Sequence, residues 1–175
     1  GHFKGEHGLG DKRAAYEESI RIPLLARWPG RIPAGSTPTA PILTVDLPAT
    51  ACALAGVTPP VPLHGRDALG VLAGTPPADW RSAWLYTYWT DIEFPDTPAH
   101  VAVRTDSAKL IVYRDHPEWT ELFDLAADPL EIRNLAAEPA HAALRAELET
   151  ELKRQQDAVA FRTPDGWPKK TRPRR

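Results

Sequence analysis

Methionine is absent from this 175-residue chain, and cysteine occurs once, at Cys52. A single thiol excludes an internal disulfide framework and any multi-cysteine metal site. Its place between Leu47 and Leu54 on an apolar segment predicts a small buried hydrophobe. No uninterrupted apolar run reaches the roughly 18 residues that a membrane-crossing helix needs. Net charge is nearly absent too, at -2, but it is unevenly spread. Residues 1–161 carry 15 Lys and Arg against 22 Asp and Glu, whereas residues 162–175 carry six against one. A basic tail of this kind can touch nucleic acid or anionic lipid. Trp167 is its one aromatic residue, however, and no zinc-finger or phosphate-loop pattern precedes it, so a disordered, solvated end is the expectation, with no nucleic-acid partner. Opening on Gly1 without any methionine, the chain reads as part of a longer polypeptide, and no compartment follows from it.

What the chain does have is concentrated at its start. Residues 1–23 hold four glycines, two histidines, two lysines and two arginines. Ordering glycine costs backbone entropy and polar side chains add no core, so such a run needs a reason to fold. Closely spaced glycines let backbone approach a bound group, and Lys4, Lys12 and Arg13 can neutralise an anion such as sulfate or phosphate. A Gly-rich surface loop with solvated charges is the other reading.

Farther on, Lys12 to Ile20 predicts a short helix stopped before Pro23. Leu24 to Trp28, closed by Pro29-Gly30, predicts a short strand buried on both faces, and a proline-rich loop follows from Arg31 to Thr39. Asp46 is placed to cap a helix running to Ala55 and ending at Gly56, with Leu47, Ala51, Leu54 and Ala55 as its apolar face. Asp67 is placed to cap a second short helix that Gly74 closes. Composition shifts after Thr75-Pro76-Pro77, dividing the chain into residues 1–78, 79–161 and the tail 162–175. The middle part holds four β-rich runs, around Trp84–Trp89, Val101–Thr105, Leu110–Tyr113 and Glu121–Leu125, with Asp106-Ser107 as a hairpin turn. They predict a four-stranded antiparallel sheet, which must be covered on an apolar face. The cover is a helix from Pro139 to about Ala158, whose Leu144, Leu148 and Leu152 recur every four residues. Glu149 and Lys153 add an i,i+4 pair on its surface, and Glu17 and Arg21 form an internal ion pair.

The order of residues says more than their composition. Gly1, Gly5-Glu6-His7-Gly8, Asp11-Lys12-Arg13, Tyr16-Glu17-Glu18-Ser19, Arg21, Pro23 and Arg27-Trp28-Pro29-Gly30 resemble the run that follows the second metal-binding pair of type I sulfatases. Arg104-Thr105, Lys109 to Tyr113, Glu121 to Leu125, Asp128-Pro129, Glu131 and Asn134-Leu135 continue the likeness, which covers all but the basic tail. Asp67 departs from it by standing where serine is usual, a swap that keeps the cap.

The resemblance implies the C-terminal part of an alkaline-phosphatase-like α/β sulfatase fold, α+β within this piece. It implies hydrolysis of a sulfate ester, small-molecule or glycan, by a formylglycine nucleophile and Ca2+ held in an N-terminal part outside this chain. Cys52 lacks the Pro-Ser-Arg type sequence that formylglycine formation requires, and no metal ligand is assigned to this chain. Lys12 matches the family's sulfate-contacting lysine, a role that suits an ammonium stabilising charge on the transferring group. Gly5, Glu6 and Gly8 would shape the loop, His2 and His7 would line the pocket, and His100, with Asp91 or Glu93 before it, would recognise the alcohol portion. Asp128, Glu131 and Asn134 are read as a structural turn. The rivals are a phosphomonoester, phosphodiester or phosphonate hydrolase on the same fold, and a non-catalytic module binding an anionic glycan.

Overall fold

A computed structural model describes residues 1–91 and 93–164. Most of the tail expected at 162–175 lies outside the described residues. Two compact units emerge: Gly1–Ile22 together with the described residues from Ala83 onward, and Pro23–Ser82.

In the first unit, four strands, β3 (Ala83–Tyr88), β4 (His100–Thr105), β5 (Ala108–Tyr113) and β6 (His116–Asp124), pair antiparallel in chain order. Asp106-Ser107 forms the tight turn between β4 and β5, where the Thr105 hydroxyl accepts the Ala108 amide proton at 3.1 Å. Strand alternation sends side chains to two faces. Val103, Leu110 and Leu122 point to one face, where Leu148 and Leu152 of α4 (Ala142–Ala158) cover them with Leu144 alongside. A 3-10 turn, Pro139–His141, leads into that helix as the proline predicts. Its surface pairs include Arg145 with Glu149, Arg154 with Glu151 and Lys153 with Asp157, and the expected Glu149–Lys153 pair does not form.

The opposite face is covered as well, by residues expected to belong elsewhere. Ala102, Ile111, Tyr113 and Phe123 pack against Phe3, Ala14, Ala15 and Tyr16, all buried. Here β1 (Phe3–Lys4) and β2 (Gly10–Asp11) form a small antiparallel ribbon. The helix expected over Lys12–Ile20 is confined to α1, Glu17–Ile20, because Ala14 to Tyr16 pack against the sheet and the Ala15 carbonyl accepts the Lys109 ammonium from β5 instead.

The second unit contains α2 (Asp46–Ala55) and α3 (Leu69–Leu72). Gly56, at φ 64°, ends α2 in the left-handed conformation that costs glycine least, and the Val57 amide reaches back to the Cys52 carbonyl at 2.9 Å. Four sequence expectations fail here. Leu47 and Leu54 are about half exposed, and the buried positions of α2 are Asp46 and Thr50. The unit is built round a polar hub: Asp46, fully buried, accepts the Leu43 amide at 2.7 Å, the Arg66 amide at 2.8 Å and both terminal nitrogens of Arg81 at 2.5 and 2.7 Å. Asp46 is thus the first residue of α2 rather than its cap, which falls at Val45. Glycine is required at 65, where a Cβ would meet the Val45 carbonyl oxygen at 1.7 Å. The Asp67 carboxylate does accept the Leu69 amide at the start of α3. Leu24 to Trp28 is irregular rather than a strand, and Leu25 is 96% exposed. Cys52 is half-buried, not buried.

Candidate functional site

The Gly5-Glu6-His7-Gly8 segment is the turn joining β1 to β2. Two glycines and one histidine enter the left-handed region, with φ 119° at Gly5, 54° at His7 and 68° at Gly8. Backbone bonds from Gly5 to Leu9, Gly8 to Gly5 and Leu9 to Glu6 close the loop. The exposed Glu6 carboxylate accepts the Lys4 backbone amide, which holds its carboxyl below the usual range. His7 lies flat on the Tyr16 ring, centroids 4.0 Å apart, with Nε2 3.4 Å from the Glu18 carboxylate. A histidine in a strained conformation thereby gains an aromatic surface and a carboxylate close by.

Lys12 follows β2 directly and is exposed, and its carbonyl accepts the Ser19 hydroxyl. His2 is exposed at the start of the same segment. Arg13 pairs with Asp11 and lies over the Phe94 ring, 3.2 Å from its centroid. Phe3, Leu9, Asp11, Arg13, Phe94 and Thr97 line a cavity of about 210 Å³ beside these residues. His100 lies elsewhere, in β4. Only 2% exposed, it contacts the rings of Tyr86, Tyr88 and Tyr113 at 5.3 to 5.8 Å, with Nδ1 2.9 Å from the Pro98 carbonyl oxygen. It is not a surface histidine; in this chain it packs within the sheet's aromatic side chains.

Beneath the Lys12 segment is a buried ionic cluster that the sequence reading did not assemble. Lys109 Nζ, fully buried in β5, is 2.8 Å from Glu17, 2.7 Å from Glu131 and 2.9 Å from the Ala15 carbonyl oxygen. The Glu17 amide donates to Glu131 at 2.7 Å, and Arg104 approaches the Glu17 carboxylate at 3.4 Å. Tyr16 and Tyr113 both donate to Glu121, at 2.6 and 2.9 Å. Glu17 therefore pairs with Lys109 and Arg104, and Arg21, expected as its partner, is exposed. Burial raises the Glu17 carboxyl, but the charge of Lys109, with Arg104, outweighs it and leaves the group below its ordinary value. Burial prevails at Glu131, which is raised despite Lys109. The available signal was Lys109 itself, the one charge inside the apolar run from Ala108 to Tyr113.

The turn from Asp128 to Leu135 completes this arrangement. Glu131 adopts φ 53°, and the Asn134 side chain accepts the Leu122 amide and donates to the Thr120 carbonyl, fastening the turn to β6. Among the described residues no three His, Cys, Asp or Glu side chains converge to hold a metal ion. Also among them, no helix is long and apolar enough to cross a membrane.

The chain is similar to known proteins over most of its length. The chain is 40% identical over 171 residues to an N-acetylglucosamine-6-O-sulfatase of Bacteroides thetaiotaomicron, covering 94% of this chain and 30% of that protein. It is 32% identical over 154 residues to the multifunctional alkaline phosphatase superfamily protein PehA of Trinickia caryophylli, covering 82% of this chain and 30% of the relative. In fold it matches the solved structure of BT4656 in complex with its substrate D-glucosamine-2-N,6-O-disulfate, with a TM-score of 0.87 and 36% identity over 95% of this chain and 34% of the other. The chain thus spans about a third of the length of these relatives. The family described as N-sulphoglucosamine sulphohydrolase, C-terminal, matches residues 5–158, from the glycine turn through the ionic cluster to the last turn of α4. That match makes this chain a member of the family, with the fold of the C-terminal part of alkaline-phosphatase-like sulfatases.

Proposed function

We propose that this chain is part of an enzyme that hydrolyses a sulfate ester of a carbohydrate, an amino sugar by analogy with its relatives, and that Lys12 binds the ester's sulfate. The observation that carries the reading is the placement of Lys12: an exposed cation on a segment whose next residues, Ala14 to Tyr16, are buried and fastened to the sheet. An ammonium held so needs little reorganisation to meet charge developing on a transferring sulfuryl group, the condition under which electrostatic stabilisation is strongest.

The nucleophile, a formylglycine, and a calcium ion that would orient it belong in this proposal to the preceding part of the polypeptide. Calcium supplies Lewis-acid polarisation when bound. The residues of this chain do the rest of what is assigned here. Lys12 neutralises a sulfate oxygen and assists departure of the alcohol. The left-handed turn at Gly5 to Gly8 shapes the site wall, with His7 locked against Tyr16 and His2 at the rim. His100, buried in the sheet among tyrosine rings, is assigned no contact with the substrate.

The test is turnover of glucosamine 6-sulfate and of an aryl sulfate by the full-length enzyme, with Lys12 intact or replaced. Lys12→Ala should lower kcat by about a hundredfold, corresponding to roughly 3 kcal/mol. Unchanged turnover would refute the role of Lys12. Preference for the corresponding phosphate ester would assign the protein to the phosphoester hydrolases of the same fold instead.

A further inference from the structure

We infer that Lys109 is a positioning residue for Lys12, acting through Glu17, Glu131 and the backbone of Ala15; this rests on the reading of Lys12 given above. Two surfaces of the segment after Lys12 are held by different means. Ala14, Ala15 and Tyr16 supply apolar contact, which is non-directional and tolerates sliding. The directional bonds come from the polar groups: the Tyr16 hydroxyl to Glu121, Lys109 to the Ala15 carbonyl, Lys109 to the Glu17 carboxylate, and the Glu17 amide to Glu131.

Lys109 and Glu131 are fully buried at their side chains, and Glu17 is 18% exposed. Replacing such a network by apolar groups of similar volume is often neutral or stabilising, so stability alone is a weak reason for it. What an ammonium provides here is register. It places the Ala15 carbonyl, three residues beyond Lys12, at one fixed point over β5. Glu131 accepts both Lys109 and the first amide of α1, so the start of α1 is fixed by the same carboxylate. The motif residues Glu17, Arg104, Lys109 and Glu131 thus converge on one task, orienting the segment that carries the sulfate-binding cation.

The experiment is a double-mutant cycle in the full-length enzyme, comparing wild type, Lys12→Ala, Lys109→Met and the double variant. Lys109→Met should lower kcat about tenfold or more, since misplacement by about 1 Å can cost a hundredfold. On the Lys12→Ala background the same change should cost less than about twofold, because there is no ammonium left to misplace. Equal losses on both backgrounds would overturn the positioning role. Lys12→Ala with normal turnover would instead overturn the sulfate contact.

Amide exchange reads the loop independently of activity. Lys109→Met should speed exchange at Glu17, Ser19 and Ile20, whose amides are bonded in this segment, and unchanged exchange would count against the inference. Should Lys109→Met not fold, Glu131→Gln serves in its place, keeping an oxygen for the Glu17 amide while removing one charge. It should show the same effects at smaller size, and wild-type rate and exchange in that variant would overturn the proposal.

Discussion

Replacing Asp46 by alanine strikes the polar hub of the second unit, and the cost can be worked from its bonds. The carboxylate accepts two backbone amides, from Leu43 and Arg66, and a two-nitrogen contact from Arg81, whose side chain is only 12% exposed. Hydrogen bonds to a charged group contribute about 1.5 to 3 kcal/mol each, but these are not independent and some donors would regain water. The larger consequence is an unpaired guanidinium, and breaking a buried pair from one side costs about 3 to 5 kcal/mol. The apolar core of this unit, chiefly Ala68 and Val71, is too small to absorb that loss. The expected result for Asp46→Ala is a fall in stability of about 3 to 5 kcal/mol, seen as a lower urea midpoint and as faster exchange at the Leu43 and Arg66 amides. Adding Arg81→Met should restore part of it, because the stranded charge is then gone. A loss under about 1 kcal/mol in Asp46→Ala, or strict additivity in the double variant, would refute the view that this carboxylate organises the unit.

Leu148→Ala, at a side chain 1% exposed between α4 and the sheet, should cost about 2 to 5 kcal/mol in denaturant unfolding, whereas alanine at the exposed Glu147 should change little. The two carboxylates on Lys109 should respond to pH in opposite senses. Glu17 is depressed below 4.5, so its stabilisation is full above about that value and is lost as pH falls through its native pKa; Glu17→Gln should flatten that acid limb. Glu131 is raised above 4.5, so stability falls as pH climbs through its native pKa, and Glu131→Gln should remove that decline. Urea midpoints taken from about pH 3 to 7 measure both, and parallel shifts in the two variants would contradict the assignment.

The sheet and its helix were legible because their signals are local. Alternating β-rich runs, the Asp106-Ser107 turn and leucines every fourth residue each follow from a few neighbours in sequence. What escaped depends on distant partners. The leucines of α2 suggest a buried face, but Asp46, Arg66 and Arg81 place the polar side inward, and no periodicity reveals where a carboxylate finds its donors. The Lys12 segment looks helical by propensity, yet contacts with β5 draw Ala14 and Ala15 along the sheet. The motif residues of the candidate site were visible as a resemblance. Their physical connection was not, since Glu17, Lys109 and Glu131 are brought together only by the fold.

The connectivity of the first unit carries a kinetic implication. Each strand of the meander pairs with its immediate successor, so these contacts close short stretches of chain. The bond from Lys109 to Ala15 spans 94 residues, and that from Glu17 to Glu131 spans 114. Because long closures cost more entropy before they are rewarded, the meander should assemble early and the lysine-bearing segment should dock onto it last. The segment to which sulfate binding is assigned would then be the last to mature, ready only after the surface beneath it is complete.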